Sequence, residues 1–179
     1  ATAKPFITHH NSLESDFYLR VAPELYLKRL IVGGLADDVF EIGRTFRNEG
    51  ISPRHNPEFT IIEGYHAYKD YSDMMDLVEK LVQACAMAVH GSLKVPFGDI
   101  ELDFSGPWPR KSMCALIEEK TGVDFLAIED PEEARKKANS PGVHVEPTFN
   151  WGQVVEATFE EKVEERRIQP IHVTDFPFD

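Results

Sequence analysis

The chain has 179 residues, of which 42% are hydrophobic and 28% charged, a composition suited to a folded domain that buries one core. Its 19 Lys and Arg against 31 Asp and Glu give a net charge of −12, which excludes a broad surface that holds nucleic acid by phosphate neutralisation; any RNA contact is local or lies outside these residues. No apolar run of about 18 residues occurs and no basic-then-apolar leader opens the chain, so neither a membrane span nor a signal peptide is expected.

Residues 22–32 read as a helix, with Pro23 in the first turn, Gly33 and Gly34 as the C-terminal cap, and Leu25, Tyr26 and Leu30 turned toward a core. Residues 39–47 alternate as a strand, so that Val39, Glu41, Gly43, Thr45 and Arg47 share one face while Phe40, Ile42, Arg44 and Phe46 share the other. A polar loop follows. Alternation resumes at Phe59, with Phe59, Ile61, Glu63 and Tyr65 projecting together, and the pair predicts a hairpin over about residues 39–69. Residues 70–90 form the clearest helix, in which Met75, Val78, Leu81 or Val82, Cys85 and Val89 recur at helical spacing for packing, Ser72 or Asp70 caps the start and Gly91 ends it.

Beyond it the pattern predicts a strand at 100–104, a helix at 111–120 stopped by Gly122, a short charged helix at 131–138, an amphipathic helix at 153–165 and a buried strand at 170–174. Helices and strands follow in irregular order without repeats or a linker, which favours a mixed α+β domain, a sheet with helices against it, without an internal boundary. The only cysteines, Cys85 and Cys114, lack metal-ligand spacing and read as reduced core thiols of a cytoplasmic protein. The abrupt start and the strand-like end suggest a fragment of something larger.

If the two strands pair antiparallel across the loop, Arg47, Glu49, Phe59, Glu63 and Tyr65 line one surface. Arg47 offers a planar, permanently charged fork for a phosphate; the alternative is an arginine at a strand end paired with a neighbouring acid. Arg54 and His55 add a second cationic group within the loop, able to reach a distal phosphate. Phe59 can stack on a base or serve as a strand core residue. Of three acids near apolar segments, Glu24, Glu49 and Glu63, the last alternates with Ile61 and Tyr65 and is expected to be partly buried, which calls for a partner such as a cationic amine.

The run FRNEGISPRHNPEF at residues 46–59 closely resembles the second signature motif of class II aminoacyl-tRNA synthetases. ITHHN at 7–11, LRVAPELYLK at 19–28 and EGYHAY at 63–68 are similar to the lysine-specific branch, the lysyl-tRNA synthetases. The match is dense from about residue 4 to 90 and thinner to the end. The resemblance implies an antiparallel sheet flanked by helices, the incomplete catalytic core of that class, over residues 1–179. It assigns Arg47 to the α-phosphate of ATP and the lysine carboxylate, Glu49 to the adenine amino group, Arg54 to the γ-phosphate, backbone near His55 and Asn56 to the base, and Phe59 to adenine stacking. Glu24 would face the α-amino end of lysine, and Glu63 with Tyr65 would help form the amino-acid pocket.

It further implies Mg2+ held by carboxylates outside this chain, with no metal ligands within it, a homodimer, tRNA(Lys) as a substrate of the complete enzyme, and no anticodon-binding domain here. The isolated chain is then expected to form little or no adenylate. Two other readings are a truncated relative that binds ATP or lysine or docks a partner, and a relative that attaches lysine to a protein.

Overall fold

A computed structural model describes residues 3–53 and 55–178 of the chain. The chain divides into two compact units, Ala1–Asp70 and Tyr71–Asp179. Secondary structure is mixed, and among the described residues the strands form four two-stranded sheets, three antiparallel and one parallel.

The first unit opens with an antiparallel ribbon that alternation did not reveal, β1 (Ile7–His10) and β2 (Ser15–Tyr18), joined by a 3-10 turn over Asn11–Leu13. Its turn is made locally: the His10 ring accepts from Leu13 N at 3.3 Å, and Glu14 takes the left-handed conformation at φ 45°. Helix α1 (Glu24–Val32) follows. Pro23 sits just outside its first turn, and Gly33 N closes the last turn on Arg29 O at 2.8 Å. The buried anchor of α1 is Leu27, with Leu30 half-buried, whereas Leu25 and Tyr26, expected inside, are exposed.

Strands β3 (Asp38–Phe46) and β4 (Glu58–His66) form the expected hairpin and contact α1. The register sets Val39 opposite Tyr65, Glu41 opposite Glu63, Gly43 opposite Ile61 and Thr45 opposite Phe59. Side chains of such pairs project from one face, and this is the covered face of the hairpin, with Thr45 fully buried. The other face carries Phe40, Ile42 and Ile62, all exposed. Preceding chain lies along the edge of β3: Phe46 N donates to Arg20 O at 2.8 Å and Asn48 N to Lys4 O at 2.7 Å. The Arg20 guanidinium then crosses the strand, with Nε donating to Arg44 O at 2.9 Å and Nη1 bonded to Glu41. A Cβ added at Gly43 would meet the Arg20 guanidinium, the movable end of that side chain, and push it off this path.

The second unit begins with α2 (Tyr71–His90). Its packed face runs through Met75, Glu79, Val82, Gln83 and Ala86, while Val78, Leu81 and Val89 of the expected stripe are exposed. An antiparallel ribbon follows, β5 (Lys94–Phe97) with β6 (Ile100–Asp103). Pro96 lies inside β5, which a two-stranded ribbon tolerates because one edge of each strand has no ladder to complete. Next come β7 (Arg110–Ser112), α3 (Met113–Thr121), α4 (Pro131–Asn139), α5 (Trp151–Lys162) and β8 (His172–Thr174), the last parallel to β7.

Caps explain the helix boundaries. The Ser112 hydroxyl accepts from Ala115 N at 3.2 Å, Asp130 accepts from Glu132 N and Glu133 N ahead of Pro131, and Asn150 forms a reciprocal capping box with Gln153. That box starts α5 two residues earlier than apolar spacing alone predicts. Leu116, Ile117, Phe125, Ala134, Ala138, Val154, Val155 and Val163 are fully enclosed in the core. Cys114 is a buried free thiol raised above its usual pKa chiefly by burial, as expected of a core cysteine, whereas Cys85 is exposed on α2. Among the described residues, no helix is long and apolar enough to cross a membrane.

Candidate functional site

The hairpin brings most of the singled-out residues together at its loop end. Arg47 continues β3 beyond the last ladder pair, held there by its N–H donating to Pro57 O at 2.9 Å. Its side chain is half-buried, Nε donates to Val21 O at 3.3 Å, and Cζ stands 5.2 Å from the centroid of the Phe59 ring. Among the described residues no ion pair joins Arg47 to a carboxylate, so the strand-end ion pair weighed from the sequence is not formed. The Nη groups therefore keep their donors for a ligand, and the guanidinium is already oriented by one carbonyl and one aromatic face.

Between the strands the loop is stapled on itself. Ser52 N donates to His55 O at 3.2 Å, His55 N donates to Ser52 O at 3.1 Å, and the Ser52 hydroxyl is 2.7 Å from His55 Nδ1. Proline at position 53 pre-sets the first turn residue. Arg54, assigned to the distal phosphate, lies outside the described residues. A cleft of about 280 Å³ opens beside this turn, lined by Arg47, Glu49, Gly50, His55, Asn56 and Phe59. Five of these six residues were singled out from the sequence; Gly50 was not. The cleft carries one guanidinium, one carboxylate, an imidazole, an amide and an aromatic face, a set that can hold an anionic group at one side and a flat heterocycle at the other.

A second cluster lies toward the other end of the same hairpin face. The Tyr65 hydroxyl donates to the Glu63 carboxylate. Burial, then this bond and the nearby acids Glu63 and Glu24, push the phenol pKa well above its usual range, so it stays protonated and the carboxylate keeps a donor. Glu24, in the first turn of α1, holds Lys28 Nζ at 2.5 Å, one helical turn on. Chiefly through that hydrogen bond, and through the charge of Lys28, its carboxyl is held below the usual range. The same ammonium stands 5.2 Å from the centroid of the Tyr65 ring. Glu24, Lys28, Tyr65 and Glu63 thus form one chain of acid, cation, aromatic face and acid.

The spacing of Glu24 and Lys28 was visible as an i,i+4 pair, but not its reach to Tyr65. Likewise nothing in the alternation of β3 marks Arg20 as the cation that covers Gly43. Among the described residues no group of three or more His, Cys, Asp or Glu side chains is arranged to hold a metal ion.

The sequence matches the family of class II tRNA synthetases (D, K and N) over residues 1–179. The chain belongs to this family. It is 58% identical to a lysine–tRNA ligase of Sinorhizobium medicae and 58% identical to that of Rhizobium meliloti, in each case over 100% of this chain and 36% of the relative. A lysine–tRNA ligase of Carboxydothermus hydrogenoformans is 52% identical over the same extents. The chain therefore spans about a third of the length of the curated relatives it matches. The cleft opens within residues 46–59, the run that resembles the second signature motif of class II synthetases.

Proposed function

We propose that this chain is part of the catalytic domain of a lysine–tRNA ligase, in which the loop-end cleft takes ATP and the Glu24, Glu63 and Tyr65 cluster takes lysine. The observation that carries this reading is the shared cleft of Arg47, Glu49, His55, Asn56 and Phe59 on one end of a single hairpin face. Arg47 holds the α-phosphate and the substrate carboxylate. Phe59 stacks on adenine, Glu49 accepts from the adenine amino group, and backbone near His55 and Asn56 borders the base. Arg54 reaches the γ-phosphate.

In the reaction a carboxylate oxygen of lysine forms a bond to the α-phosphorus, the bond to the bridging oxygen breaks, and pyrophosphate leaves with that electron pair. A hydroxyl at the 3′ end of tRNA(Lys) then attacks the lysyl carbonyl carbon of the adenylate, the acyl–phosphate C–O bond breaks, and AMP leaves with that electron pair. Such chemistry asks little of covalent catalysis, so positioning of the two substrates and stabilisation of charge at phosphorus supply most of the acceleration. Glu63 and Tyr65 serve specificity, because a pocket built to bond polar groups rejects ligands that lack them. Mg2+ neutralises phosphate charge in this reaction class, and we place its ligands outside residues 1–179. The same reading places the ribbons of this chain in an antiparallel sheet flanked by helices, in a cytoplasmic homodimer.

Calorimetric titration of the chain with ATP and then with lysine tests the assignment of the two subsites. Saturable ATP binding that Arg47→Ala and Phe59→Ala each weaken supports it, and ATP binding indifferent to both substitutions refutes it.

A further inference from the structure

Lys28 has no role in the reading above, yet it stands inside the amine subsite. Its Nζ is 2.5 Å from the Glu24 carboxylate and 5.2 Å from the centre of the Tyr65 ring, whose hydroxyl is bonded to Glu63. A primary ammonium between a carboxylate and an aromatic face is the arrangement that a substrate ammonium would make there. We propose that Lys28 is a specificity-determining residue: its ammonium holds Glu24 as an internal counter-ion, and an incoming substrate ammonium has to displace it. The inference rests on the reading of Glu24, Glu63 and Tyr65 as the lysine pocket.

Lys28 can leave. Its side chain and that of Glu24 are each about half exposed, and an exposed i,i+4 pair is a weak bond that a rotamer change undoes. It is also always present, since a group tethered one helical turn away acts at an effective concentration on the order of millimolar. A ligand that offers only an amine competes with that tethered cation on equal chemistry and gains little. A ligand that also engages Arg47 through a carboxylate has further contacts to offset the displacement. Lys28 thereby raises the threshold for simple amines more than for an amino acid, which is discrimination by a competitor built into the site.

The test uses full-length protein carrying this chain, with ATP–pyrophosphate exchange at varied lysine and with cadaverine, lysine without its carboxylate, as inhibitor. Lys28→Met lowers the KM for lysine by about three- to tenfold, the combined size of an exposed ion pair and a cation–π contact. The inhibition constant of cadaverine falls by at least as much, the KM for ATP stays within about twofold, and Lys28→Arg restores the parental values, because a guanidinium again covers Glu24. An unchanged or raised lysine KM overturns the proposal, as does an equal fall in the KM for ATP, which would mark a general effect on the fold. Glu24→Gln separates the two levels of the argument. If it raises the lysine KM while Lys28→Met fails to lower it, only the competitor role is lost. If it leaves the lysine KM unchanged, the lysine-pocket reading itself fails.

Discussion

Replacement of Arg47 probes the centre of the site. Its Nε donates to Val21 O at 3.3 Å and its Cζ stands 5.2 Å from the centroid of the Phe59 ring, so the ligand contacts fall to the two Nη groups. Removing a preorganised donor to charge that develops in the transition state costs about 2.7–4 kcal/mol, or about 10²–10³ in kcat. Arg47→Ala also uncovers the Phe59 ring, a further ~0.5–1 kcal/mol that weakens nucleotide binding and is read in the KM for ATP. Arg47→Lys retains the charge but loses the planar fork and the carbonyl that orients it. In ATP–pyrophosphate exchange by full-length protein, Arg47→Ala is therefore expected to lose about a thousandfold in kcat and Arg47→Lys about a hundredfold. The side chain is half-buried and carries no ion pair to a described residue, so the fold should survive both changes, with melting temperature as the control. A loss smaller than about tenfold in Arg47→Ala refutes the assignment, since no single phosphate donor of this kind is worth so little.

Phe59→Ala removes a stacking plate worth about 1–3 kcal/mol per base, so the KM for ATP rises by about tenfold or more while the lysine KM moves little; equal shifts in both would argue for a structural role instead. Glu63→Gln keeps the shape of the pocket and a partner for Tyr65 but deletes a charge, and the lysine KM rises by about tenfold, the worth of a hydrogen bond to an ionised group; unchanged kinetics would remove Glu63 from the pocket. Tyr65 is expected to titrate above the usual tyrosine range. With its pKa raised by burial and by Glu63, its protonated form favours the folded state at every pH below the ordinary tyrosine value of about 10, and that contribution is lost only as pH climbs through the raised pKa. Alkaline spectrophotometric titration should show one lagging tyrosinate that Tyr65→Phe abolishes, and a lag that survives the substitution assigns it to another residue.

The hairpin was legible because two independent signals agreed. Alternation over residues 39–47 and 59–65 named the two faces and the polar loop joined them as a hairpin, while the register, in which Glu41 meets Glu63 and Thr45 meets Phe59, came from the structure. Loop-end residues then follow from the strands that carry them. Helix ends were legible where a cap residue stood next to the apolar pattern, as at Gly33 and Pro131, and shifted where the cap lay outside it, as at Asn150. The ribbon of β1 and β2 escaped because all eight of its residues are exposed, so no alternation of apolar and polar residues marks it.

Partners from separate elements were beyond the reach of periodicity. An arginine at position 20 and a glycine at position 43 are ordinary in isolation, and their meaning comes from the edge contact Phe46 N to Arg20 O, which lays one across the other. The same holds for Lys28. From the sequence it is an exposed helical lysine four residues after a glutamate, and only the packing of α1 on β3 and β4 sets its ammonium over Tyr65. Helix α2 shows the converse error. Apolar spacing picked Met75, Val78, Leu81 or Val82, Cys85 and Val89; Met75 and Val82 are on the packed face, but Val78, Leu81, Cys85 and Val89 are exposed, and that face also bears Glu79 and Gln83, because their polar ends are satisfied by Trp108 N at 3.1 Å and Phe104 O at 3.0 Å. A buried polar group with a partner costs little, so hydrophobicity alone misplaces a face whose partners are backbone groups far along the chain. Glu24 with Lys28 beside Tyr65 is another such pairing, and on the proposal made for Lys28 its disruption is expected to read out as substrate choice.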